Sequence, residues 1–257
     1  MNLLAGLRYP VRALVMLRRH RELWGFVLIP ILLNLVVGVA LYAGLSMVGL
    51  RQIDQIGQAG GALATTLEFI ARVLYVIALA IGVGWLMVRF GVVLGAPWYG
   101  QLAGRLEEII TGRPMPETPL TPASVAYDIS RALLFELKKL LLAMAIGLPS
   151  LLLNLIPAAG TILATAVAVA LGALIACLDF FDAPLERHRL RFRAKLGVVR
   201  QNLPASASFG LLAAFLGSIP LLNLLAIPLC VTAGTMLVLE GAQDPVETQH
   251  AASLQET

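Results

Sequence analysis

Side chains able to do chemistry are scarce in this 257-residue chain, and their spacing excludes most familiar sites. The two cysteines, Cys177 and Cys230, each lie deep in apolar sequence, so neither a disulfide framework nor a zinc site is expected. His20, His188 and His250 are far apart and have no metal-ligand spacing. There is no glycine-rich phosphate loop, no Gly-x-Ser-x-Gly elbow and no carboxylate pair inside an apolar run. We expect no enzyme, no metal and no cofactor. What remains is of another kind. Asn34, Thr161 and Asn223 are polar groups set within or beside long apolar segments, and Arg187-His188-Arg189-Leu190-Arg191-Phe192-Arg193-Ala194-Lys195 alternates basic and apolar residues. Uncharged polar groups in such places hydrogen-bond toward a helix bundle. A helix that starts inside a membrane presents free N–H groups that suit an anion.

The elements that must carry these groups follow from hydropathy. The composition is 59% hydrophobic and 13% charged, with a mean hydropathy of +0.86, against ~45–50% and ~25% in an average soluble domain. The apolar residues fall in four blocks: Leu23–Leu50, Val73–Val88 (continuing past Arg89 to Gly104), Leu140–Leu178 and Gln201–Leu239. A membrane-crossing helix needs ~20 such residues. The first block crosses, and the second crosses if Arg89 snorkels or faces protein. The last two are too long for one helix and too short for two ordinary spans. Each is broken by a proline-marked tip, Ile156-Pro157-Ala158-Ala159-Gly160 and Ile219-Pro220-Leu221-Leu222-Asn223. Their arms, ~18–27 Å at 1.5 Å per residue, read as hairpins that stop within the bilayer. The fold class expected is therefore an all-α integral membrane protein with two full spans and two proline-tipped, re-entrant hairpins.

Charge sets the orientation. Seventeen of the nineteen Lys and Arg residues lie in segments 1–22, 89–139 and 179–200, leaving only Arg51 and Arg72 in the loop after the first span. Basic residues stay in the cytoplasm, which places both termini inside. The net charge of +4 then reflects topology and contact with anionic lipid, and no nucleic-acid partner is expected. Residues 1–21 read as an interfacial helix with Leu3, Leu4, Leu7, Val11 and Leu14 on one arc and Arg8, Arg12 and Arg19 beside it. The domain plan is one helical membrane domain, 1–239, followed by a loose acidic tail, 240–257.

Several motifs, taken in order, resemble a known family. Phe26-Val27-Leu28-Ile29-Pro30-Ile31-Leu32-Leu33-Asn34 is similar to the opening of the first span in CysZ-type sulfate permeases and their etoposide-induced-protein relatives. Ala96-Pro97, Leu102-Ala103, Leu106-Glu107 and Thr111-Gly112 match the segment after the second span. Asp182, Pro184, His188, Phe192, Phe209-Gly210, Ile219-Pro220-Leu221-Leu222-Asn223-Leu224, Pro228 and Gly234 keep the family's spacing. The resemblance covers roughly residues 6–239. It implies a bacterial inner-membrane permease for a small inorganic anion, sulfate first, working as a homo-oligomer; the etoposide-induced branch offers a non-transporting, lipid-interacting scaffold instead. Asn34, Glu107, Arg131, Glu136 and Asn223 match its polar positions and are candidates for a polar pathway. The family's Gly-Leu-Arg anion motif falls where this chain has Glu22-Leu23-Trp24-Gly25, and an acidic residue there opposes a dianion. The candidates left for anion binding are Arg21, the nearest cation, and Arg8, in Gly6-Leu7-Arg8.

Overall fold

The computed structural model describes residues 3–57, 61–114, 121–157 and 159–255, and among these the regular structure is helical throughout. The helices are α1 (Ala5–Arg19), α2 (Trp24–Gly57), α3 (Ala62–Thr111), α4 (Pro122–Leu151), α5 (Gly160–Arg187), α6 (Phe192–Gln201), α7 (Ala205–Gly217) and α8 (Pro220–Gln255). Short 3₁₀ turns precede α2 at Arg21–Leu23 and follow α4 at Leu152–Leu155.

The first two apolar blocks form a long antiparallel hairpin, α2 against α3. Its register shows in the pairs that cross it: Asn34 Nδ2 to the Gly91 carbonyl, Tyr75 Oη to the Leu45 carbonyl, and Arg72 to Asp54. Asn34 also donates to the Pro30 carbonyl at 2.9 Å, so one amide ties the proline-bearing turn of α2 to α3. Both helices exceed the ~30 Å of hydrocarbon at 1.5 Å per residue. Their outward faces are apolar: Leu28, Leu32, Val36, Val39, Ile77, Ile81 and Trp85 are all exposed. Only 11% of the α2 span is buried inside the protein, against 72% of the α8 span from Leu222 to Ala242. A helix apolar all round must be enclosed or face lipid. Here α8 is the enclosed axis and the α2–α3 hairpin faces lipid. The side chain of Arg89, on which the second crossing turns, lies outside the described side chains.

The proline-tipped hairpins exist, and the arms of the first are longer than its apolar block suggests. In the first, α4 begins at Pro122, capped by the reciprocal Thr121–Ser124 hydrogen bonds, and α5 runs on to Arg187. Both helices pass through charged residues that end the hydropathy signal, because those residues pair with one another across the helix interface. Among the described residues four helices are long and apolar enough to cross a membrane, α2, α3, α5 and α8, where the sequence indicated two. In the second hairpin α7 has 13 residues, ~20 Å, and is too short to cross. Continuing past Glu240, α8 remains helical to Gln255.

The core lies where α1, α5, α7 and α8 meet. The rings of Phe181 and Phe209 stack at 5.6 Å, with Phe180 edge-on to Phe209. Close backbone approach requires small residues at these crossings. A Cβ on Gly210 would stand 2.3 Å from the Ala173 carbonyl oxygen, so α7 rides directly on α5. Gly210→Leu is expected to pry the two apart and cost about 1–3 kcal/mol, read as a lowered unfolding midpoint of the detergent-solubilised protein.

The N-terminal helix has two apolar faces. Tyr9, Ala13 and Leu17 are buried against the protein, while Leu3, Leu4, Leu7, Val11 and Leu14 are exposed, the arc expected to meet lipid. Tyr9 Oη and the Arg12 guanidinium both donate to the Glu240 carboxylate near the end of the α8 span. Burial, and then this hydrogen bond, pushes the Tyr9 phenol above its ordinary range. The Glu240 bond likewise raises Arg12.

Candidate functional site: a charged chamber between α3, α4, α5, α7 and α8

One face of α4 and one face of α5 carry charge toward each other. On α4, Asp128, Arg131, Phe135 and Lys139 recur at spacings of three and four and so share a side. Asp179, Asp182 and Glu186 do the same on α5. The short helix α6 folds back and inserts Lys195 from a third direction.

The resulting network is continuous. Lys139, only 4% exposed at its side chain, is ion-paired to Glu136 at 2.5 Å and to Asp179. Lys195, 3% exposed, is ion-paired to Asp182 and, at 2.7 Å, to Glu186. The other oxygen of Glu186 meets Arg131. Phe135 lies between the two lysines, its ring centroid 5.3 Å from Lys139 Nζ and 4.5 Å from Lys195 Nζ, and its edge meets Phe192. Arg131 rests over the Tyr127 ring at 5.6 Å. At the mouth, burial and the neighbouring Glu186 hold the Asp128 carboxyl above its usual range, and Arg131 opposes them.

This network lines a cavity of about 510 Å³, room for on the order of fifteen waters. Its lining takes in Tyr127, Asp128 and Arg189, and also Ser218 and Asn223 beside the tip of the α7–α8 hairpin. Between them the wall is largely apolar, from Val92, Val93 and Ala96 of α3 and Gly172 and Ala176 of α5. The lining carboxylates Asp128, Glu136, Asp179, Asp182 and Glu186 are matched in number by Arg131, Lys139, Arg187, Arg189 and the adjoining Lys195.

The residues singled out from sequence divide among three places. Arg131, Glu136 and Asn223 line the chamber. Glu107 pairs with His188 at 3.2 Å, and its second oxygen is buried with no hydrogen bond; Asn34 sits at the α2–α3 seam. Neither lines the chamber. Arg8 and Arg21 are exposed on α1 and on the turn before α2. Thr161 is exposed as well, whereas Asn223 is buried in the first turn of α8.

The basic run 187–195 is divided between the protein interior and its surface. Arg191 and Arg193 are exposed, but Arg187 turns inward and donates to the Gly100 carbonyl, and Lys195 is buried. Sequence reasoning missed Lys139, Asp179, Asp182, Glu186 and Lys195. The signal was there in Glu136–Lys139 at i, i+3 and in the 179, 182, 186 spacing, both lying at the edges of apolar blocks.

Lipid-facing apolar helices enclosing a charge-balanced, water-sized chamber define an α-helical integral membrane protein of the permease architecture. Among the described residues no group of three or more His, Cys, Asp or Glu could hold a metal. The chain belongs to the family described as Sulfate transporter CysZ/Etoposide-induced protein 2.4, whose model matches residues 9–228. Its relatives include proteins named Sulfate transporter CysZ from three bacteria. The Vibrio cholerae protein is 28% identical over 88% of each chain. The Vibrio atlanticus protein is 31% identical over 82% of this chain and 83% of its own, and the Salmonella typhimurium protein is 26% identical over the same shares.

Proposed function

We propose that this protein is a permease for a small inorganic anion and that the anion is sulfate. The chamber is the observation that carries the reading: it brings Arg131, Lys139, Arg187 and Arg189 to one cavity inside a helical bundle of this family. Burying cations alone would cost several kcal/mol each. Pairing Arg131 and Lys139 with carboxylates offsets that cost in the empty state and leaves the cations in place for an arriving anion. The names of the relatives supply the substrate.

In this reading the protein sits in a bacterial inner membrane with both termini cytoplasmic, as the basic segments favour. Arg131, Glu136 and Asn223 form the polar path, with Asn34 and Glu107 supporting it at the neighbouring helix seams. Arg8 and Arg21 serve as outer anion contacts that raise the local anion concentration. Purified protein in liposomes is expected to take up radiolabelled sulfate well above protein-free vesicles. Folded protein that gives no uptake above that background overturns the proposal.

A second reading has an observation of its own. The exposed Leu3, Leu4, Leu7, Val11 and Leu14 beside exposed Arg8 and Arg19 suit an interfacial helix on anionic lipid, as a membrane scaffold would need. Retention of anionic-lipid binding in a protein that moves no sulfate would select it.

A further inference from the structure

We infer that the Glu186 carboxylate is a tethered occupant of the anion site, holding Arg131 and Lys195 as the substrate later holds them and leaving when substrate arrives. This rests on the permease reading and names the group that gives way within it.

Three observations carry the inference. First, the two oxygens of Glu186 are ion-paired to cations from two other helices: the buried Oε1, which has no hydrogen bond among the described residues, to Arg131 of α4, and Oε2 to Lys195 of α6. A carboxylate and one edge of a tetrahedral oxyanion present two oxygens in much the same way, so the pair is already set to receive the substrate. Second, Glu186 is the carboxylate of the network least secured by its own surroundings. It lies in the last turn of α5, where the helix dipole disfavours an anion, and its side chain is 29% exposed, the most of the four carboxylates paired to the two lysines. It can swing to water without crossing protein. Third, the cations stay when it goes: Lys195 keeps Asp182, and Arg131 keeps the Tyr127 ring.

The exchange also keeps charge in check. A dianion added to the balanced chamber would leave it two charges short. If Glu186 withdraws as the dianion enters, the deficit falls to one. Release is the reverse step, with Glu186 returning to compete for the same two cations.

Glu186→Gln removes the competitor while keeping size and shape. Sulfate binding to the detergent-solubilised full-length variant is expected to tighten about tenfold, and uptake into proteoliposomes to slow because release loses its internal competitor. Glu186→Asp, which draws the carboxylate back by one methylene, is expected to tighten binding by a smaller factor and keeps the test available should the glutamine variant not fold. A purely supporting role for Glu186 predicts the opposite sign, weaker binding. Unchanged or weaker sulfate affinity in both variants, with wild-type protein taking up sulfate, overturns the inference and leaves the permease reading standing. Absence of uptake by wild-type protein overturns both.

Discussion

Lys139→Met is expected to destabilise the protein by about 3–5 kcal/mol, the cost of breaking a buried ion pair by removing one partner. The methionine fits the volume but strips the cation from between Glu136 and Asp179, whose side chains are 11% and 19% exposed. Two carboxylates would then face each other at low dielectric across a gap that one ammonium had filled. The loss should lessen in the triple variant Lys139→Met, Glu136→Gln, Asp179→Asn, since neutralising a whole buried ionic group is often close to neutral in stability. The measurement is the thermal unfolding midpoint of the detergent-solubilised protein, followed by size exclusion or circular dichroism. A shift equivalent to under 1 kcal/mol in the single variant would show that water, and not Lys139, neutralises the two carboxylates.

That expectation depends on a feature hydropathy could not display. Reading for uninterrupted apolar runs found α2, the proline tips and the basic segments, because each is a one-dimensional pattern. It ended the hairpin arms near Leu140 and Leu178 because Lys139 and Asp179 are charged. In the fold those two charges meet each other, so the helices continue through them and the arms lengthen. The same contact makes the site. Arg131, Glu136 and Asn223, singled out through the family resemblance, line the chamber, while Lys195 meets Asp182 and Glu186 only because the chain reverses between α5 and α6. Periodicity shows that 179, 182 and 186 share a face; it does not say which face of which helix they meet. The basic run 187–195 shows the limit most clearly. Its residues alternate in sequence as if all were equivalent, yet Arg187, before the turn at Arg189 (φ of 51°), and Lys195, on α6 after it, are turned inward, whereas Arg191 and Arg193 are exposed. The long exposed apolar faces of α2 and α3 needed no such knowledge, since lipid takes any apolar surface.

The position of Arg131 makes it the residue whose loss should most reduce transport while sparing the fold. Its side chain is 29% exposed, so Arg131→Gln removes a cation that water partly screens and leaves Glu186 still held by Lys195. Stability should therefore change little. Binding should change much more, because a hydrogen bond to a charged group contributes about 1.5–3 kcal/mol, which corresponds to a roughly 10- to 100-fold fall in sulfate affinity and in uptake at low sulfate. Arg8→Gln and Arg21→Gln provide the contrast. Both arginines are exposed, and as outer contacts they act by raising the local anion concentration. Their loss should cut uptake only about two- to threefold, an effect that fades at high salt. The Arg131 effect arises inside the chamber and should persist there. A second signature separates direct loss of a cation from general damage. Arg131 is the group that opposes the upward shift of the Asp128 carboxyl, which burial and Glu186 produce. Without Arg131 that carboxyl should titrate at still higher pH, observable by carbon NMR of labelled aspartate. Equal losses of uptake in Arg131→Gln and Arg21→Gln, with Asp128 unmoved, would place the anion outside the chamber and on the arginines of the N-terminal surface.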